Sequence, residues 1–344
     1  MSVSEKRYEW EEAGAFEVSE GVFRIPLPLP GDVLRAVNTY LIFGSDGVVL
    51  IDSGQSLEVS RGQFERSLAS VGVGFGDIRE FLVTHIHRDH YTQAIALRRE
   101  FGMRVSLGDG ERSSFDAIQA RSHTASDRQF GMLKACGANE LFKTVSEYGG
   151  EDSAIMDLYE RPDGWLSDGI SFGVGDRELR VVSTPGHTKG HVVFLDQANG
   201  LLFAGDHVLP HITPSIGLEA DRPRLPLRDY LGSLRKVRMM PDSRLLPAHG
   251  PVVESTHKRI DELLDHHDVR LSETLGCLDS AGSTVLEVAR QLRWTRHFRK
   301  LEELDVFNQM LAVFETKYHL DLLVEMGRAI VMQDGEALQY RAVA

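Results

Sequence analysis

The segment His85-Ile86-His87-Arg88-Asp89-His90 puts three imidazoles and a carboxylate within six residues, directly after the apolar run Phe81-Leu82-Val83. Alternate side chains of an extended segment share a face, so His85 and His87 can grip one cation together. If the chain then turns, Asp89 and His90 can reach a second. Three more runs stop on a metal-ligating residue. Arg180 to Gly186 leads into His187, Leu201 to Gly205 into Asp206, and Arg244 to Ala248 into His249. Imidazole and carboxylate donors without thiolate suit zinc first, and also iron or manganese. His187 would complete a three-histidine site with His85 and His87, and His249 would close a second site with Asp89 and His90. Asp206 is placed to bridge them. The chemistry implied is hydrolysis at two divalent metal ions, with a metal-bound hydroxide as nucleophile and Asp89 as the catalytic residue that orients it.

Donors in separate stretches need a rigid frame to bring them together. Asn38 to Phe43 and Val48 to Ile51 flank Gly44-Ser45-Asp46-Gly47 as a hairpin. Val22 to Leu29 is strand-like but interrupted by Pro26 and Pro28, which confines it to an edge or a rim. Helical spacing follows at Leu57 to Val71 and at Ala94 to Phe101. Further strands are expected at Phe81 to Val83, Arg104 to Leu107, Leu179 to Ser183, His191 to Asp196, Leu201 to Ala204 and Arg244 to Leu246, with a helix at Asp229 to Met239. Two alternating halves, 22–107 and 170–250, would pack sheet on sheet with helices outside, an α/β four-layer αββα sandwich. Residues 109–168 are polar and mixed and read as a helical insertion lying over the site.

From about residue 255 the pattern turns helical. Ile260, Leu263, Leu264, His267 and Leu271 form a stripe, and Thr284 and Glu287 make a capping box. Val306 to Met326 is amphipathic, and Asp334-Gly335 turns a final hairpin. The expected division is therefore a catalytic domain over 1–254 and a small winged-helix-like domain over 255–344.

The 344 residues carry a net charge of −13, which opposes bulk binding of polyanions. Residues 256–344 hold 11 Lys/Arg against 15 Asp/Glu, and the stretch 306–326 has Lys317 against Glu315, Asp321 and Glu325. A helix that reads a nucleic-acid groove is not acidic, so the C-terminal domain is expected to dock or to form a homodimer. Only Cys136 and Cys277 are present, which fits a reducing cytoplasm rather than a disulfide framework. No apolar run reaches the roughly 18 residues of a membrane span, and the N-terminus lacks the apolar core of a signal peptide.

The motifs Thr84-His-Ile-His-Arg-Asp-His90, Thr184-Pro-Gly-His-Thr-Lys-Gly-His191, Phe203-Ala-Gly-Asp-His207 and Pro247-Ala-His-Gly250 resemble those of the metallo-β-lactamase superfamily. Pro185-Gly186-His187-Thr188 is similar to its glyoxalase II-like branch. The C-terminal region resembles the appendage of the β-lactamase-like-protein-2 branch, which includes endoribonucleases and acyl-carrier thioesterases. The resemblance implies an αββα fold with one ion on His85, His87 and His187, and another on Asp89, His90 and His249, bridged by Asp206. It also implies that Asp52 supports a ligand histidine from behind. The chain departs from the family where Tyr91-Thr92-Gln93 follows His90 in place of the usual glycines, and where His207 follows Asp206.

Several residues carry both a sharp and a bland reading. Tyr91 could donate to an oxyanion or simply pack. His191 could meet substrate or hold the 186–190 loop. His207 and His211 are expected near the mouth of the site. Arg293 to Lys300 is the single basic-aromatic cluster, able to bind phosphate or stack a base, or to be a solvated loop. A site without a strong general acid favours a good leaving group, so the expected substrate is a small acyl thioester, ester or lactone. A ribonuclease-type phosphodiesterase and an oxygenase with one iron, like the persulfide dioxygenases, are the alternatives.

Overall fold

The computed structural model describes residues 8–45, 47–119, 130–147, 153–219 and 221–343. The first sheet runs β1 (Phe16–Ser19), β2 (Val22–Pro28), β3 (Ala36–Gly44), β4 (Gly47–Ile51), β5 (Ile78–Val83), β6 (Arg104–Gly108) and β7 (Gly164–Leu166), in that spatial order. The second holds β8 (Ser171–Val174), β9 (Arg177–Ser183), β10 (Val192–Asp196), β11 (Leu201–Gly205) and β12 (Arg244–Pro247), ordered 12-11-10-9-8. Strands β4, β5 and β6 are parallel, as are β11 and β12. Because β9 and β11 both run antiparallel to β10, their C-terminal ends lie on one edge.

The period of two in each strand decides the layers. Val49, Ile51 and Leu82 of the first sheet meet Val181, Phe194 and Phe203 of the second in one buried cluster. Tyr40 and Phe203 touch edge to face across it, their centroids 5.4 Å apart. The intervening residues face outward. Leu50, Phe81 and Val105 pack against Phe64 of α1 (Glu58–Ser70) and Ile95 of α2 (Arg88–Phe101). Val182, Val193 and Leu202 pack against helices that cover the second sheet. The result is the four-layer αββα arrangement expected from the two halves.

Pro26 and Pro28 sit inside β2, which has a neighbour on each side. The pairing with β1 ends at Arg24, however, so both prolines lie where that side of β2 is free. Gly44 pairs with Gly47 as the hairpin requires, while Asp46 lies outside the described residues. Helix α2 begins six residues before the expected Ala94, which puts Asp89 and His90 on its first turn.

Residues 109–168 are largely helical where described, with α3 (Arg112–Gln119), α4 (Met132–Ala135), α5 (Asn139–Glu147) and α6 (Ser153–Met156). Residues 120–129 and 148–152 of that insertion, and 1–7 at the N-terminus, lie outside the described residues. Its end returns to the first sheet as β7, paired in parallel with β6. Period-2 patterning does not show in three residues, which is why this strand is absent from the sequence reading.

Helix α7 (Pro226–Arg238) lies on the second sheet. The C-terminal region contributes α8 (Thr256–Gly276), β13 (Ser283–Thr284), α9 (Val285–Gln291), α10 (Val306–Glu325), β14 (Ala329–Asp334) and β15 (Ala337–Ala342), the strands ordered 13-15-14. Val285, Val313, Leu320 and Leu323 belong to the same apolar cluster as Val182, Leu202 and Leu234. The C-terminal helices thus share a core with the second sheet.

That shared cluster predicts that the second sheet and the C-terminal helices unfold together. Leu323 is fully buried, so Leu323→Ala removes about 2–5 kcal/mol. Calorimetry is expected to show a single transition moved to lower temperature in the variant. A C-terminal melt separate from an unmoved main transition would contradict the shared core.

Candidate metal centre

The C-terminal ends of β5, β9, β11 and β12 deliver His85, His187, Asp206 and His249 to one edge, and the start of α2 adds His87, Asp89 and His90. The approach is close. Gly186 has φ +142°, and a Cβ there would fall 2.4 Å from Cα of Tyr230. Gly205 has φ +51°, and its Cβ would fall 2.7 Å from Oγ1 of Thr84. Only glycine lets these two turns press His187 and Asp206 into the centre.

The seven residues form two groups, His85, His87, His187 and Asp206 in one and Asp89, His90 and His249 in the other. Nε2 of His85 lies 3.1 Å from Nε2 of His187 and 3.0 Å from Nδ1 of His87, which is 3.0 Å from Nε2 of His187. Asp206 divides its oxygens between the groups. Oδ2 is 3.4 Å from Nε2 of His187. Oδ1 is 3.3 Å from Nε2 of His249 and 3.6 Å from Nε2 of His90. Oδ2 of Asp89 lies 3.4 Å from Nε2 of His249 and 3.6 Å from Nε2 of His90.

Each histidine is pinned through its other nitrogen. Nδ1 of His90 donates to Oδ2 of Asp52 at 2.9 Å. Nε2 of His87 donates to the carbonyl of Leu218 at 2.8 Å, Nδ1 of His187 to that of Ser215 at 2.6 Å, and Nδ1 of His249 to that of Ala36 at 2.7 Å. The Thr84 hydroxyl, spent as a donor on Asp52, accepts from Nδ1 of His85 at 3.0 Å. These bonds fix the tautomers and aim every remaining lone pair inward. Asp52 does this with φ 59°, a left-handed conformation that aspartate tolerates better than most residues.

The arrangement fits a pair of cations. Nε2 of His90, Oδ1 of Asp206 and Nε2 of His249 are buried and make no hydrogen bond, a costly state that coordination relieves. Tetrahedral bonds of 2.0–2.1 Å set donor atoms roughly 3.3 Å apart, close to the spacings seen. Burial pushes His85 far below its usual range and His187 down to about 3, so both are neutral ligands. Burial also opposes charge on His90, but Asp52, Asp89 and Asp206 outweigh it and lift the imidazole to about 10. A dication would displace that proton.

Two sequence candidates go elsewhere. Tyr91 follows His90 on α2, a helical step that turns its ring into the core. It packs on Phe115, and its hydroxyl donates to the carbonyl of Glu160. His207 is buried against Tyr230 and His191 instead of standing at a mouth. His191 holds the loop, for its Nε2 accepts the amide of Asp206 at 3.2 Å and its Nδ1 meets Thr184 at 2.9 Å. His211 does line the cleft that opens on the centre.

Two carboxyls escaped the sequence reading, because a lone glutamate outside a motif gives no signal. Glu111 accepts from the Thr188 hydroxyl at 2.6 Å and the Ser114 hydroxyl at 2.9 Å. Glu219 accepts from the Lys189 amide at 2.9 Å. Together they clamp the loop that carries His187. Burial, and then the charge of Glu111, push Glu219 up to about 9.

A sequence model of the metallo-beta-lactamase superfamily matches residues 32–249. The chain belongs to this superfamily. Among metallo-beta-lactamase relatives, a Caenorhabditis elegans beta-lactamase-like protein 2 homolog is 30% identical over 279 residues, 80% of this chain and 77% of its own. An Aspergillus fumigatus atrochrysone carboxyl ACP thioesterase is 28% identical over 265 residues, 76% of this chain and 66% of its own. A crystal structure of a metallo-beta-lactamase family protein from Thermus thermophilus superposes with a TM-score of 0.79 at 27% identity, over 95% of this chain and all of that one. The likeness therefore extends through the C-terminal helices.

Asp52→Asn keeps the shape of the side chain but removes the charge behind His90. It is expected to lower metal affinity about 10- to 100-fold, measured by competition with a chromophoric chelator. A second outcome concerns Glu219. Its folded value lies above the ordinary 4.5, so its contribution is complete below about 4.5 and lost as pH rises through about 9. Glu219→Gln should gain on the wild type by roughly 1–3 kcal/mol between pH 6 and pH 9 in denaturant titrations. A difference that does not change with pH would refute the shift.

Proposed function

We propose that the chain is a two-metal hydrolase, glyoxalase II-like, that cleaves an acyl thioester, ester or lactone. The observation that carries this reading is the division of Asp206 between two complete ligand groups at the head of an open cleft. His85, His87 and His187 would hold one ion, Asp89, His90 and His249 the other, with Asp206 between them and zinc the first candidate. Bound there, the ions would supply Lewis acidity and would lower the pKa of a bound water to about 7.

The remaining roles fall to the chain. Asp89 belongs to the second group and also lines the cleft, a place from which its carboxylate can orient a water and take up its proton. His211 stands on the cleft wall, where substrate would pass. A thiolate leaves readily because its thiol has a pKa near 8.5, so a thioester makes little demand on acid assistance from the cleft wall. The thioesterase among the relatives supports the same choice.

The alternatives draw less support. An oxygenase with one iron would not need the complete second group of Asp89, His90 and His249. A ribonuclease would need a nucleic-acid face. Helix α10, the candidate for such a face, is buried along most of its length from Met310 to Leu323. We read residues 255–344 as a winged-helix-like unit, on its order of three helices and three short strands, used for packing and not for groove reading. The unpaired thiols of Cys136 and Cys277 suit the cytoplasm. Among the described residues no helix is long and apolar enough to cross a membrane.

The test is turnover of a panel of acyl thioesters, lactones and single-stranded RNA by metal-loaded protein. Thioester hydrolysis is expected, with kcat/KM falling about 10²- to 10⁴-fold in Asp89→Ala. RNA cleavage without thioester turnover would replace this reading with the phosphodiesterase one.

A further inference from the structure

The cleft that opens on the metal centre has a volume of about 1870 Å³, beyond the roughly 300–1,000 Å³ of ordinary small-molecule sites. One wall is α8. Near the centre, Arg259 of this helix donates to the carbonyls of Leu209 and Ile212. Further along, Arg270 donates to the carbonyl of Arg293. Eleven residues of helix separate the two, about 16 Å along its axis. The same cleft is thus lined by His87 and Asp206 and by the segment Arg293–Arg299.

That segment is built to present its tip. Trp294 is buried, and its indole donates to the carbonyl of Ala289 at 2.9 Å. Two backbone bonds close Trp294 on Arg299, at 2.9 and 2.8 Å. Between them Thr295 and Phe298 have φ 58° and 55°. A β-branched residue and an aromatic one both held left-handed mark stored strain, which persists where the surroundings impose it. The outcome is that Phe298 stands 76% exposed, beside exposed Arg296 and Arg299.

The charges decide what such a tip would meet. Glu262 of the cleft wall is paired with Arg259, and Glu273 and Glu315 with Arg270. Among the described residues, Arg293, Arg296, Arg299 and Lys300 have no carboxylate partner. Four such cations on one short loop, in a chain of net charge −13, select an anion. Val269 and Phe307, both exposed, add an apolar stretch to the same cleft.

We propose that the 293–300 loop is a subsite for the phosphates and base of a nucleotide-bearing thioester of the coenzyme A kind, whose acyl end lies at the metal centre. The inference rests on the hydrolase reading for the acyl end, and on the loop alone for the nucleotide. Arg296 and Arg299 hold phosphate, Phe298 offers a face for the base, and the pantetheine arm lies along α8. A simple ester or lactone would leave the loop without a role.

The test separates the two readings because it needs no turnover. Equilibrium binding of coenzyme A and of pantetheine, which shares its thiol but lacks the phosphates, is measured by calorimetry on metal-loaded protein. Coenzyme A should bind at least about tenfold more tightly. In Arg296→Ala/Arg299→Ala that preference should fall below about threefold, with an unchanged unfolding midpoint, and in wild type it should shrink as salt rises. Phe298→Ala should lose part of it. Equal binding of the two ligands, or a preference that survives the double variant, would overturn the subsite. So would tighter binding of an oligouridylate of matched charge, which would assign the loop to RNA. Binding of coenzyme A without hydrolysis of any thioester would overturn the hydrolase reading and leave the subsite standing.

Discussion

Three imidazole nitrogens within 3.1 Å of one another, all aimed at one point, do not stabilise a folded chain by themselves. Neither does a buried carboxylate oxygen without a donor. Burying such groups costs free energy that only a coordinated cation returns in full. Most of the architecture around them follows from that constraint. The donors need an edge that does not yield, and the C-terminal ends of packed strands provide one. They also need fixed tautomers, which three backbone carbonyls, Asp52 and Thr84 enforce from outside the cage.

The same constraint explains where the backbone departs from ordinary conformations. Gly186 and Gly205 bring their turns against Tyr230 and Thr84 more closely than a side chain would allow. Asp52 takes a left-handed conformation and in return reaches both Thr84 and His90. Glu111 and Glu219 sit behind the His187 loop, where burial favours a neutral carboxyl. Geometry at the centre is thus held by groups that never touch a metal, and these are the groups that a motif does not reveal.

The ligand residues were legible because four apolar runs stop on them, one at a cluster of four, and abrupt polarity after a strand is visible in the chain itself. Asp52 became readable once the family resemblance was in place. What was misplaced or left open has physical reasons. Tyr91, for which packing was one of the two readings, and His207, expected near the mouth, adjoin ligands in sequence, but one helical step and one turn direct them into the core. The start of α2 was hidden because Asp89 and His90 are poor helix formers held there by tertiary contacts. Strand β7 is too short to carry a period. Glu111 and Glu219 meet across about a hundred residues, a separation that local pattern does not bridge. The apolar stripe of α8 was plain, yet nothing in it told that its partner would be the second sheet.

That last point changes how the C-terminal region is to be understood. Viewed along the chain, it is an appendage that begins where the ligand motifs end. Viewed in space, α8 and α10 are the wall of the cleft, and the loop before α10 stands over it. The strand edges supply only the ligand residues, and in the hydrolase reading proposed above a metal cage by itself does not choose among acyl groups. Selection among substrates must come from surfaces that touch the rest of the ligand. Here those surfaces are supplied by the insertion, through Ile118 and Tyr159, and by the C-terminal helices, through Val269 and Phe307. Because α10 spends its apolar faces on the shared core, its burial fixes this wall in place. The C-terminal region is therefore part of the cleft that opens on the ligand residues, and in the proposed hydrolase it is where selection among substrates would be made.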